Sequence, residues 1–154
     1  MPDCFISYSS KDLPFASAVH RDLQAQGVDA FMAAISLAPG DSWTPVIHNA
    51  LRESSWVILL ASRAACASAY VQQEIGRAMD GTKRLIPVVW DMPPEELPGW
   101  LNQIHALDVR ANTPAEIQQR ILAIADSIKQ DKARGMLIGG ALIAGLFWLA
   151  ARSD

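Results

Sequence analysis

The run Trp56-Val57-Ile58-Leu59-Leu60-Ala61 decides how this chain folds. It is apolar at every position. A strand with one wet face alternates polar and apolar residues. An unbroken apolar run marks a strand covered on both faces, as in a parallel sheet layered between helices.

Reading outward, strand-like and helix-like segments alternate. Upstream, Cys4–Ser7 reads as a first strand and Lys11–Gln26 as a helix, with Phe15, Val19 and Leu23 at helical spacing and Gly27 as its stop. Val28–Phe31 reads as a second strand. A loop, Met32–Asp41, contains Pro39-Gly40, and Ser42 is placed to cap a helix with Val46, Ala50 and Leu51 on one face. Downstream, Ser68 is placed to cap a helix running to Gly81, with Val71, Ile75, Ala78 and Met79 inward. Leu85–Trp90 is a fourth strand, the Pro- and acid-rich Asp91–Gly99 a loop, and Ala106–Val109 a weak fifth strand. Thr113-Pro114-Ala115-Glu116 is a capping box with Pro at the first helical position. Ile117, Ile121, Ile124 and Ile128 then share one side of a last helix. Such alternation implies an α/β fold, a mostly parallel sheet with helices on both faces. Its functional crevice lies beyond the carboxyl ends of the strands, which singles out Tyr8–Asp12, Met32–Trp43 and Ser62–Glu74.

Composition narrows the function classes. The 154 residues suffice for one ordinary domain and a tail, and 51% are hydrophobic, enough for a core. The net charge of −3 and the lack of a Lys/Arg cluster argue against a nucleic-acid partner. Cys4 and Cys66 make no CxxC or Cys/His pattern and fall at opposite ends of the sheet, so no disulfide is expected and a reducing compartment fits. His20, His48 and His105 have no metal spacing, and no metal is expected. No signal peptide precedes Phe5, and no GxGxxG or Walker sequence occurs.

Gly135–Ala151 carries no charge. Its 17 positions would span about 26 Å as a helix, slightly less than a hydrocarbon core of about 30 Å. Arg134 and Arg152 bracket it and Trp148 lies near one end. The expectation is a single-pass membrane helix over 135–151, after a domain at 1–130 and a basic segment at 131–134, with 152–154 as a short tail. Lys129, Lys132 and Arg134 precede the run and Arg152 follows it, which keeps the N-terminal domain in the cytoplasm at the cell membrane. The bland alternative is a helix buried in the soluble core. Gly135-x-x-x-Gly139, Gly140-x-x-x-Ala144 and Ala141-x-x-x-Gly145 have helix-packing spacing, for self-association or simply because membrane helices tolerate small residues.

Three segments carry a family likeness. Phe5-Ile6-Ser7-Tyr8-Ser9-Ser10-Lys11-Asp12 resembles the first signature box of Toll/interleukin-1 receptor (TIR) domains. Pro39-Gly40-Asp41-Ser42-Trp43, with Ile47-His48-Asn49-Ala50-Leu51, resembles their second loop and helix. Ser68-Ala69-Tyr70-Val71-Gln72-Gln73-Glu74 resembles the Ser-x-Trp-x-x-x-Glu pattern of enzymatic members. The likeness covers about residues 3 to 130 and leaves the anchor outside. It implies a flavodoxin-like five-stranded parallel sheet of order 2-1-3-4-5. Some members are adaptors that signal by assembly; others, many of them bacterial, cleave NAD at the nicotinamide–ribose bond with a glutamate where this chain has Glu74.

By this resemblance Glu74 is the catalytic carboxylate, and Ser7, Tyr8, Ser9, Phe31, Trp43 and Tyr70 line the substrate pocket. Pro39, Gly40 and Asp41 shape an assembly loop that packs on a neighbouring TIR domain. Each also has a plain structural reading. Glu74 is a helix-face charge within reach of Arg77. Tyr70, where relatives carry Trp, is a partly buried aromatic. Ser9-x-x-Asp12 is a helix cap. Phe31 is a core aromatic, and Trp43, at the start of an amphipathic helix, a half-buried one. His48 lies on the polar side of its helix and is read as exposed. The implied function is a membrane-anchored NAD glycohydrolase, with NAD as substrate rather than cofactor, active as a homo-oligomer. It would act as an antiviral or toxic effector, and an activating partner is implied that the sequence does not name. The alternatives are a non-catalytic scaffold that gathers TIR domains at a membrane, and an effector whose helix itself damages the bilayer.

Overall fold

The computed structural model describes residues 1–35, 44–69, 71–79 and 81–152, without the side chains beyond Gly135. Five parallel strands form one sheet in the order β2-β1-β3-β4-β5. They are β1 (Cys4–Tyr8), β2 (Ala30–Ala34), β3 (Trp56–Leu60), β4 (Arg84–Val89) and β5 (Leu107–Asp108). The helices are α1 (Leu13–Ala25), α2 (Pro45–Glu53), α3 (Arg63–Cys66), α4 (Gly76–Ala78) and α5 (Pro114–Arg152). This is the doubly wound, flavodoxin-like arrangement that the alternation of segments implies.

β3 is buried along its whole length, and Ala61 after it is too. Its side chains feed two separate cores. Val57 and Leu59 join Phe5, Ala33, Leu51, Val71 and Ile75 on the face covered by α2 and α4. Ile58 and Leu60 join Ile6, Val19, Leu23, Ile121 and Ile124 on the face covered by α1 and α5. Alternate residues of one strand thus hold two helical layers, which is why no polar residue is tolerated there.

Several local signals act as read. Gly27 takes φ +81° at the end of α1, a conformation that a side chain would strain. The Thr113 N–H donates to Glu116 Oε1 at 3.1 Å and the Glu116 N–H to Thr113 Oγ1 at 3.2 Å, a reciprocal capping box. Burial pushes the Cys4 thiol up to about 12, with help from the Asp3 charge and despite a backbone hydrogen bond that pulls it down. It pushes Cys66 up to about 11, where the Asp91 charge adds to it. Both cysteines are free thiols.

Other boundaries move. β2 runs to Ala34 rather than stopping at Phe31, because β1 pairs with it as far as Tyr8↔Ala34 and the Ile35 N–H donates to the Tyr8 carbonyl at 2.8 Å. Alanine is a poor strand former by itself, so pairing decides here. α2 starts at Pro45 with Thr44 as its cap; Thr44 Oγ1 accepts from the Ile47 N–H at 3.4 Å, and Ser42 lies outside the described residues. In this frame Val46, expected inward, points to solvent at 65% exposure, and Ile47 packs against the core instead. Within the span expected as a helix from Ser68 to Gly81, the described residues form a π-helical turn at Val71–Ile75 that runs on into α4, and α3 is a separate short helix ahead of that span.

α5 continues as one helix to Arg152, so the apolar run extends the last helix of the domain. Among the described residues, no helix is long and apolar enough to cross a membrane; the side chains of Met136–Arg152, most of the expected span, lie outside them.

Candidate functional site

The carboxyl ends of β1 and β3 are tied together by their loops. Ser62 caps α3 by accepting the Ala65 N–H at 3.1 Å, and its own hydroxyl donates to Asp12. Asp12 therefore does not close a capping box with Ser9, as the Ser9-x-x-Asp12 spacing suggests. Ser9 still caps the short 3-10 turn Ser10–Asp12, accepting from the Lys11 N–H at 3.3 Å. Ser68, expected as a helix cap, turns inward to donate to the Ile35 carbonyl at 3.1 Å, joining the end of β2 to the segment that carries Glu74.

The period of two in β1 separates the first signature box. Ser7 shares strand parity with Phe5 and faces the α2/α4 layer, whereas Tyr8 packs against the α1/α5 core. Ser7 is fully buried, and its Oγ has no hydrogen-bond partner among the described residues. This hydroxyl at the carboxyl end of a central strand keeps hydrogen-bonding capacity that no described residue uses. Ser9 is buried just beyond it. Phe31 is half-buried in the α2/α4 layer, stacked on Phe5 with ring centroids 5.9 Å apart and planes at 15°. It sits below the carboxyl edge, near the start of β2. Pro39, Gly40, Asp41, Trp43 and Tyr70 lie outside the described residues.

Glu74 stands on the π turn. Val71 and Ile75, one at each end of that turn, are fully buried and anchor it to the core. The extra residue per turn rotates the side chains C-terminal to it, and such turns recur at functional sites. Opposite, Gly99 takes φ +58° and Trp100 packs its indole against Gly76, where a Cβ would lie 3.0 Å from Nε1. Gln72 donates to the Pro98 carbonyl at 3.1 Å and clips the turn to this loop.

Glu74 itself is half-exposed and makes no hydrogen bond or ion pair with a described residue; Arg77, three residues on, does not close on it. It lines a groove of about 380 Å³ with His48 and Arg52 of α2, Arg77 and Lys83, over a floor of Leu51 and Ala78. His48 is exposed on the rim, as its position on the polar face of α2 implies. The sequence signal for the groove was present in Arg52 and Arg77, but only packing α2 against α4 shows that they share a wall with Glu74. Among the described residues, no group of three His, Cys, Asp or Glu gathers as a metal site.

A carboxylate left unpaired beside several cations, on the same face of the sheet as the buried Ser7 hydroxyl, can stabilise a transient positive centre and accept hydrogen bonds from sugar hydroxyls. The chain has recognisable relatives. The sequence model of the TIR domain matches residues 4–122. The probable 2′ cyclic ADP-D-ribose synthase BdTIR of Brachypodium distachyon is 27% identical over 97 residues, which make up 62% of this chain and 43% of that protein. The chain thus spans less than half the length of this curated relative. Among solved structures, the TIR domains of the activated Roq1 resistosome superpose with a TM-score of 0.67 at 18% identity, over 80% of this chain and 98% of that one. A TIR-STING receptor from C. gigas, in complex with 2′,3′-cGAMP, gives 0.63 at 22% identity, over 81% of this chain and 39% of the receptor. At such identities these structures speak to the fold alone.

Proposed function

The chain belongs to the TIR domain family, and on that premise we propose that it cleaves NAD at the nicotinamide–ribose bond, with Glu74 as the catalytic carboxylate. The observation that carries this is the unpaired, half-exposed Glu74 in its groove. A relative named as a cyclic ADP-ribose synthase supports the same substrate class. The C–N bond breaks with both electrons leaving on nicotinamide, which departs neutral, so little acid help is needed. The ribosyl carbon becomes oxocarbenium-like, and Glu74 stabilises that charge while accepting a ribose hydroxyl hydrogen bond. Water then adds and loses a proton to give ADP-ribose, or a nucleophile of the same molecule adds to give a cyclic isomer. Ser7, Ser9 and the backbone of Tyr8, with Phe31, Trp43 and Tyr70, are the proposed lining of the pocket, and NAD enters as substrate with no cofactor.

Place and assembly belong to the same reading. The uncharged run after Arg134, continuous with α5, is the proposed anchor, holding the TIR domain on the cytoplasmic side of the cell membrane. Pro39, Gly40 and Asp41 are the proposed contact with a neighbouring copy, and confinement on a bilayer raises the local concentration that such weak contacts need.

The test is Glu74→Gln, which keeps size and removes charge. Nicotinamide release should fall about a hundredfold or more, with the unfolding midpoint unchanged because the side chain is half-exposed and unpaired. A folded variant that releases nicotinamide at the wild-type rate would sink the assignment.

A further inference from the structure

We propose that the groove between α2 and the π turn is a subsite for the pyrophosphate bridge of a dinucleotide, with Arg77 and Arg52 as its anion contacts. This rests on the NAD-cleaving reading and adds the part of the substrate that the chemistry at Glu74 does not use.

The chain as a whole is acidic, at −3. Yet this groove sets Arg52, Arg77 and Lys83 around a single carboxylate. Like charges brought together on a fold repel, and a fold gains nothing from leaving them unanswered. Lys83 is already committed: its Nζ donates to the Arg52 and Ser54 carbonyls at 2.6 and 2.7 Å, covering the carboxyl end of α2. Its charge stays in the wall while its donors are used. Arg52 gives one Nη to Asn49 Oδ1 at 2.7 Å and keeps the rest of its donors. Arg77 makes no hydrogen bond or ion pair with a described residue. Two guanidinium groups with free planar donors, beside a fixed ammonium, match a diphosphate, which guanidinium binds in paired, charge-assisted hydrogen bonds.

Placement supports the same assignment. Glu74 stands on the π turn and Arg77 on α4 directly after it, and both line the one groove. With Glu74 at the anomeric carbon, the phosphates fall toward Arg77 and then Arg52 across the groove. The failure of Glu74 and Arg77 to pair fits as well. Each is left for a different part of one ligand.

The experiment uses the full-length chain with Arg77→Gln, Arg52→Gln, the double variant and Arg77→Lys. Nicotinamide release is measured from NAD and from nicotinamide riboside, which has the same scissile bond and no pyrophosphate. Binding of inorganic pyrophosphate is measured by calorimetry. Each Gln substitution should lower the preference for NAD over the riboside about tenfold, through KM rather than kcat, and weaken pyrophosphate binding in parallel. Arg77→Lys should recover part of both. An unchanged preference and unchanged pyrophosphate affinity would overturn the subsite. If the wild type cleaves neither substrate yet binds pyrophosphate in an arginine-dependent way, the subsite stands and the cleavage reading falls. If it cleaves NAD with a KM indifferent to both arginines, the reverse holds.

Discussion

Ser7 is the residue at which stability and function separate most cleanly. Its hydroxyl is buried without a described partner, and such a group costs about 1–3 kcal/mol relative to leaving it in water. Alanine removes that cost and leaves almost no cavity. Ser7→Ala should therefore hold or raise stability, by about 1 kcal/mol, read as a urea midpoint at unchanged m-value. If the hydroxyl serves the pocket, nicotinamide release falls in the same variant. A lowered midpoint would mean that Ser7 has a structural partner after all. Its neighbour Tyr8 is the contrasting case, because strand parity sends it to the α1/α5 core, and its loss should read chiefly as lost packing.

At the scale of the element, the π turn Val71–Ile75 runs straight into the single turn of α4 and is also held by contacts outside that short helix. α3 ends at Cys66, and the turn is fixed by burial at both its ends and by the Gln72 bond to Pro98. Gly99 makes that bond geometry available. It sits at φ +58°, and a Cβ there would run into the Gln72 side chain amide. Gly99→Ala should cost about 1–2 kcal/mol from the left-handed backbone alone. It should also release Gln72, so amide exchange across Val71–Ile75 should quicken beyond the global change. An unaltered midpoint with unaltered exchange would show that the loop does not brace the turn. Because Glu74 rides on this turn, the same substitution should lower activity without touching the groove.

For the molecule as a whole, the question is how α5 relates the site to whatever lies past it. The helix starts beside the carboxyl edge of the sheet and runs to the opposite edge. There Arg84 pairs with Asp131 at 3.3 Å and stacks over Trp56 at 5.4 Å, and Lys132 pairs with Asp3 at 3.2 Å. Exposed pairs of this kind contribute little energy singly, but two pairs from one helix turn, Asp131 with Arg84 and Lys132 with Asp3, fix its direction. The segment after Arg134 thus departs from the amino edge on the α1/α5 face, while the groove lies in the α2/α4 layer on the other face. If it is an anchor, it leaves the groove uncovered and open to NAD. Truncation after Arg134 should then give protein that needs no detergent, and its specific activity should rise with concentration. The full chain on vesicles should be more active at equal total protein. Activity flat with concentration and indifferent to vesicles would mean that the single copy is competent, and a full chain soluble without lipid or detergent would end the anchor reading.

Features settled within a turn or two of chain were legible in the residues alone. The apolar run Trp56–Ala61, the stop at Gly27, the capping box at Thr113 and the isoleucine stripe of α5 act where they stand, because their partners are near neighbours in sequence or simply the absence of water. The family motif located Glu74 in the same local way. Contacts between distant segments settled the rest. The reach of β2 through its alanines follows from pairing with β1. Ser68 is drawn from the cap expected of it to the Ile35 carbonyl, 33 residues away, and Asp12 from its local cap to Ser62, 50 residues away. The groove itself exists because α2 and α4 pack side by side on one face of the sheet. Hydrophobic periodicity says that a face is buried, but not against which helix, so no reading of spacing could bring Arg52 and Arg77 to one wall.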